Sequence, residues 1–147
     1  MITSAAGAAP DLLLVDDDDA DALMVREALA ESERDYSLHT VPDGVRAVEY
    51  LRDPSRELPD LIILDLNMPR MDGREFLTFI KNDADFKAIP VVVLTTSSAP
   101  EDVRHSYVLR ANAYVTKPTG SDDFFSAVRR IGDFFFDVAR LPRAARD

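Results

Sequence analysis

Four consecutive large apolar residues, Leu61-Ile62-Ile63-Leu64, run directly into Asp65. A strand with one wet face alternates apolar and polar side chains, so an unbroken apolar run of this length fits a strand buried on both faces. Such strands belong to parallel sheets covered by helices on each side. Ligands of those sheets bind beyond the carboxyl ends of the strands, which is where Asp65 sits. The stretch that follows, Leu66-Asn67-Met68-Pro69-Arg70-Met71-Asp72-Gly73, is punctuated by Pro and Gly and reads as an open loop beside that carboxylate. Asp65 is therefore the leading candidate for the functional residue.

The rest of the chain supplies the remaining strands. Leu12-Leu13-Leu14-Val15 repeats the buried pattern and ends in four acids, Asp16 to Asp19, with Asp21 just beyond. Ala22, Val25 and Leu29 then recur at helical spacing, so Asp18 or Asp19 is expected to cap that helix, leaving Asp16 and Asp17 at the strand end. Residues 36–41 alternate more and suit an edge strand, followed by the turn Pro42-Asp43-Gly44 and a helix from about Val45 to Leu51. After Gly73 a third helix turns Phe76, Leu77 and Ile80 inward and ends at Asn82-Asp83. Val91-Val92-Val93-Leu94 is the next buried strand and finishes in Thr95-Thr96-Ser97-Ser98, where Ser98-Ala99-Pro100-Glu101 fits a capping box for helix four. A last strand, residues 113–116, precedes Lys117-Pro118 and a long final helix over about residues 121–139.

Five strands alternating with five helices imply an α/β fold with an open parallel sheet, because parallel neighbours need crossover connections and those are right-handed. All carboxyl ends then open on one edge, so Asp16, Asp17, Asp65, Thr95 and Lys117 converge on one crevice. Three carboxylates there repel one another, and a hard divalent cation relieves the repulsion. Few protein ligands and an open site suit Mg²⁺. Asp65 could then attack phosphorus as a carboxylate nucleophile while Lys117 and Thr95 hold phosphoryl oxygens, giving an aspartyl phosphate.

The motifs VDDD (Val15 to Asp18), LDLNMPRMDG (Leu64 to Gly73), LTTSS (Leu94 to Ser98) and YVTKP (Tyr114 to Pro118) resemble those of the response-regulator receiver family of two-component signalling. The resemblance covers about residues 11–140. It implies a flavodoxin-like doubly wound five-stranded sheet in the order 2-1-3-4-5, the order the receiver protein CheY exemplifies. By resemblance, Asp16 and Asp17 form the acid pocket, Asp65 is the phosphoacceptor, and the Asn67 backbone carbonyl is a further Mg²⁺ ligand. Thr95 and Tyr114 match the switch pair, Lys117 the phosphate-contacting lysine, and Lys117–Pro118 a peptide bond that is usually cis in the family. DLNMPRMDGREFL, VVVLTTSSAPEDV and FFFDVARLP look more narrowly like stand-alone regulators paired with bacterial phytochrome histidine kinases. Arg110 departs from the pattern, since the family commonly has Gly there in a tight turn.

Composition bounds the alternatives. With 147 residues, 46% of them hydrophobic, and no cysteine, one domain over residues 11–141 is expected, with flexible tails at 1–10 and 142–147. No apolar run nears the roughly 20 residues of a membrane span and no signal peptide is evident, so a cytoplasmic protein is expected. A net charge of −10 argues against nucleic acid, and the segment after Leu141 is too short for an output domain, so signals should leave through protein contacts. An aspartyl-phosphate hydrolase of the haloacid-dehalogenase type resembles D-x-D at this point, but Asn67 stands where its second acid would be. An EF-hand count from Asp16 fails at Ala20 and Asp21. A phosphorylation-independent scaffold would not require Asp65 and Lys117 together. His39 and His105 have no ligand-like spacing.

The final helix carries Phe124, Val128, Ile131, Phe135 and Val138 as one apolar stripe expected in the core. Phe134, Phe136 and Leu141 lie off that stripe. They suggest a homodimer which, by resemblance to the family, forms through helix four, strand five and helix five, with Phe134 or Phe136 as a buried contact near a two-fold axis.

Overall fold

The computed structural model describes residues 9–142; most of the two expected tails lies outside them. In chain order the elements are β1 (Asp11–Val15), α1 (Asp19–Ala30), β2 (Ser37–Val41), α2 (Gly44–Arg52), β3 (Leu61–Leu64), α3 (Gly73–Lys81), β4 (Val91–Thr95), α4 (Pro100–Val108), β5 (Ala113–Thr116) and α5 (Ser121–Asp133). A π-helical turn, Phe134–Val138, extends α5. All strand pairs are parallel and the order is β2-β1-β3-β4-β5, as the resemblance implies.

Alternation of side chains along each strand divides the core into two layers. Leu13, Val15, Ile62, Leu64, Val91 and Val93 face Ala47 and Leu51 of α2 and Phe76, Leu77 and Ile80 of α3. Leu12, Leu14, Leu61, Ile63, Val92 and Leu94 face the other way, onto Val25, Ala28 and Leu29 of α1 and Phe124, Val128, Ile131 and Phe135 of α5. Each such burial contributes about 1.5–3 kcal/mol, which is why residues 12–15 of β1, all of β3 and residues 91–94 of β4 are unbroken apolar runs. The edge strand β2 is only partly buried, in keeping with its mixed sequence.

Local chemistry sets the helix ends. Asp18 caps α1, accepting from the Ala20 and Asp21 amides, and Asp72 forms a reciprocal capping box with Glu75 at the start of α3. The capping box expected at Ser98 is absent. Ala99 is the N-cap of α4 without a side-chain bond, because Pro100 takes the first helical position, where its missing N–H costs nothing. At the far end of α4, the Ala111 amide bonds the Ser106 carbonyl and the Arg110 amide bonds that of Tyr107, both at 2.9 Å. This is a Schellman motif with Arg110 at φ 76°, the left-handed position that glycine normally fills.

Val138 is 71% exposed and does not belong to the core stripe. The Ala139 amide reaches back five residues to the Phe134 carbonyl (2.8 Å), and that extra residue rotates everything after it around the axis. Phe136 takes the inward place, edge-on to Tyr36 with ring centroids 5.8 Å apart. Arg34 lies against both rings and pairs with Asp137, pinning the turn to the start of β2.

Candidate functional site

The register Val15↔Leu64 places the residues after β1 and β3 side by side, and the Asp65 amide donates to the Val15 carbonyl at 2.9 Å. From β1 the chain crosses to β2 on one side, while β3 lies on the other, so the crevice at the switch in strand order falls between Asp16 and Asp65. The Lys117 amide donates to the Thr95 carbonyl (2.7 Å), which joins the ends of β5 and β4 in the same way. Backbone hydrogen bonds alone thus gather four strand ends.

Gly73 lets α3 settle onto this edge. A Cβ there would lie 2.3 Å from the Asp65 carbonyl oxygen and 2.6 Å from Leu66 Cα, so only glycine permits the approach. The preceding turn holds Arg70 at φ 63°, with its guanidinium 3.3 Å from the Asp43 carboxylate that caps α2.

Asp65 is 7% exposed. Its Oδ1 accepts from the Thr95 hydroxyl at 2.8 Å and from the Asn67 amide at 3.4 Å, and its Oδ2 lies 3.7 Å from Lys117 Nζ. Asp16 is buried and accepts from the Asp18 amide and from Lys117 Nζ, both at 2.9 Å. Asp17 faces solvent. Carboxylate oxygens of Asp16, Asp17 and Asp65 all lie within 4.8 Å of one another, a set of hard oxygen donors with an open side that fits a divalent cation keeping waters.

Burial pushes the Asp16 carboxyl up to about 6, against the bonds from Asp18 and Lys117 and with the Asp65 charge adding to the rise. Burial would lower the Lys117 ammonium, but hydrogen bonds to Asp21 and Asp16 and the charges of Asp16 and Asp65 outweigh it and hold the lysine above its usual value. Lys117–Pro118 is trans, as is every peptide bond among the described residues, in contrast to the cis bond the resemblance implies. Trans is the form an X–Pro bond prefers by about 0.5–1 kcal/mol, and the lysine stem reaches the acids from it.

Sequence reasoning missed three features. Asp21, on the first turn of α1, is the nearest partner of Lys117, at 2.7 Å. Ser97 donates to Asp102 (2.6 Å), Arg74 reaches the other Asp102 oxygen at 3.1 Å, and the Tyr114 hydroxyl donates to the Ser97 carbonyl at 2.8 Å. These bonds tie the loop after β4 to α3, α4 and β5, and the Ser97 and Arg74 bonds hold the Asp102 carboxyl below its usual value. The adjacency of Ser97 and Ser98 hid this arrangement, since capping rules favoured the wrong serine. Third, Lys81 is buried at the opposite edge of the sheet, donating to the carbonyls of Ile89 (2.7 Å) and Lys87 (3.1 Å) and to the Asn112 side-chain oxygen (3.3 Å).

A flavodoxin-like sheet in this order, with an acidic crevice between β1 and β3 and a lysine and a threonine closing over it, defines a receiver domain. The chain belongs to the response regulator receiver domain family, whose profile matches residues 12–129. It is 43% identical over 137 residues to response regulator Rcp1 of Synechocystis sp., covering 90% of this chain and 93% of that protein. Among solved structures it resembles the phosphorylated cyanobacterial phytochrome response regulator RcpA, with a TM-score of 0.88 and 44% identity over 92% of this chain and 99% of that one. The Mn²⁺-bound form of Rcp1 gives a TM-score of 0.85 and 42% identity over 90% and 99%. The protein is thus a response regulator of two-component signalling, a class phosphorylated by sensor histidine kinases and holding Mg²⁺ or Mn²⁺ in an acidic pocket. Among the described residues no helix is long and apolar enough to cross a membrane.

Proposed function

We propose that Asp65 is the phosphoacceptor of this response regulator and that its donor is the phosphohistidine of a phytochrome sensor kinase. The observation that carries the first half is the convergence on one buried carboxylate of a hydroxyl at 2.8 Å, an ammonium at 3.7 Å and two further carboxylates within 4.8 Å. A carboxylate oxygen of Asp65 forms the new P–O bond as the P–N bond to histidine breaks, and the leaving imidazole takes the electron pair. Thr95 and Lys117 are the donors placed to follow the phosphoryl oxygens. Asp16, Asp17, Asp65 and the backbone carbonyl of Asn67 would hold Mg²⁺, which when bound supplies positive charge against those oxygens. Similarity to Rcp1 and RcpA supports the phytochrome partner.

Movement of Thr95 toward an added phosphoryl group, transmitted through the Ser97 loop to Tyr114, is the conformational output of this reading. Labelling by acetyl phosphate or by a phytochrome kinase tests it: Asp65→Asn should take no label while keeping its circular dichroism spectrum. Full-rate labelling of that variant refutes the assignment, and phosphotransfer profiling across kinases tests the partner.

One specific observation supports a homodimer through α4, β5 and α5. Phe134 is 51% exposed beside an apolar cavity of about 320 Å³ lined by Ala113 and Val115 of the open edge strand and by Ala127 and Ile131 of α5. Phe136, half-buried against Tyr36, has less free surface to offer. Phe134→Ser should leave a folded monomer by light scattering; a wild type monomeric at high micromolar concentration, with or without fluoroberyllate, excludes the pairing.

A further inference from the structure

Lys117 has three ammonium hydrogens, and its surroundings assign them unequally. Asp21 Oδ2 is at 2.7 Å and Asp16 Oδ2 at 2.9 Å, both hydrogen-bonded, whereas Asp65 Oδ2 at 3.7 Å lies beyond hydrogen-bond reach. Asp16 belongs to the cluster of three carboxylates that fits a cation; Asp21 does not. A cation shared with Asp16 therefore loosens that bond and leaves Asp21 as the anion still competing for the lysine.

From this geometry we infer that Asp21 is a positioning residue that holds Lys117 away from Asp65 and so restrains both the gain and the retention of a phosphoryl group. The inference rests on Asp65 being the phosphoacceptor. The position of Asp21 in the fold makes the restraint possible. Asp18 caps α1, which leaves Asp21 at the third helical position, where an acid commonly bonds back to its own helix end. Here its carboxylate turns across the crevice to a lysine 96 residues away. Asp21 and Lys117 are both shielded, with side chains 19% and 5% exposed, so bulk water does little to weaken their attraction. An ammonium so held must break or stretch one strong bond before donating to an oxygen on Asp65.

Asp19, exposed on the same turn of the same helix, provides the control, because Asp19→Asn removes the same charge without touching Lys117. With Mg²⁺ saturating, Asp21→Asn should bind fluoroberyllate more tightly, and take label from acetyl phosphate faster, on the order of threefold to tenfold. Asp19→Asn and Asp21→Glu should stay within about twofold of wild type, since the first leaves the pair intact and the second keeps a carboxylate within reach. In a metal-free crystal of Asp21→Asn, Lys117 Nζ should move into hydrogen-bond distance of Asp65 Oδ2. Unchanged or weaker fluoroberyllate binding by Asp21→Asn overturns the inference, as does an equal gain in Asp19→Asn, which would show a general field effect. A wild type that neither takes label nor binds fluoroberyllate overturns the phosphoacceptor assignment itself and the inference with it.

Discussion

Arg110 occupies a backbone conformation that its side chain opposes, and replacing it with glycine should stabilise the protein. At φ 76° the Cβ of an L-residue crowds the following carbonyl, a cost of about 1–2 kcal/mol. Both hydrogen bonds of the motif, Ala111 to Ser106 and Arg110 to Tyr107, are made by backbone groups and survive the substitution. Glycine widens the unfolded ensemble and returns about 0.4–1 kcal/mol of that relief, leaving a net gain of about 0.5–1 kcal/mol. Unfolding entropy of about 2.1 cal/mol/K per residue over 147 residues gives about 0.3 kcal/mol/K, so Tm should rise by about 2–3 °C. Urea unfolding should agree, with a higher midpoint and an unchanged slope. Arg110→Ala keeps the Cβ and should show no such gain. If Arg110→Gly is no more stable than wild type, or if the alanine variant gains as much, strain at this residue is not the cause.

Three other outcomes follow from the site and its scaffold. Asp17→Ala removes a solvent-facing carboxylate from the cation cluster and should weaken Mg²⁺ binding about tenfold or more by titration; equal affinity would place the cation elsewhere. Because burial raises Asp16 to about 6, its contribution to the stability of the metal-free fold is present at low pH and lost as pH rises through about 6. Cation binding needs the ionised form, so the increase in Tm produced by Mg²⁺ should shrink between pH 7.5 and 5, and a constant increment would contradict the assignment. Lys81→Met takes the ammonium donor from the Ile89 and Lys87 carbonyls, whereas Asn112 Oδ1 keeps the Val91 amide at 2.8 Å, and it should cost about 2–4 kcal/mol in urea unfolding while leaving labelling of Asp65 intact.

The parts of this protein legible in its sequence share one physical cause. Strands covered on both faces must be apolar along their whole length, so Leu12 to Val15, Leu61 to Leu64 and Val91 to Leu94 announce themselves, and the first polar residue after each marks the crevice. Asp16, Asp65 and Thr95 were readable for that reason, and Lys117 because it follows the last strand. The direction in which a side chain leaves a helix turn is another matter. Nothing local to Asp21 points to Lys117, and a lysine at the last turn of α3 reads as solvated until the sheet closes around Lys81. Ser97 and Ser98 were ranked by a capping rule that Pro100 set aside. The resemblance supplied the strand order and most assigned roles, and its expectation of a cis bond before Pro118 did not hold.

The π-helical turn at Phe134–Val138 separates position along the chain from position around the helix axis by one residue. A related sequence that lacks the extra residue would place its counterpart of Val138 against the sheet, where this chain leaves it in solvent. Column-by-column alignment of this tail therefore pairs residues that face different neighbours unless a gap is opened within the turn. Apolar residues compared across relatives without that gap would assign core positions to the surface and surface positions to the core.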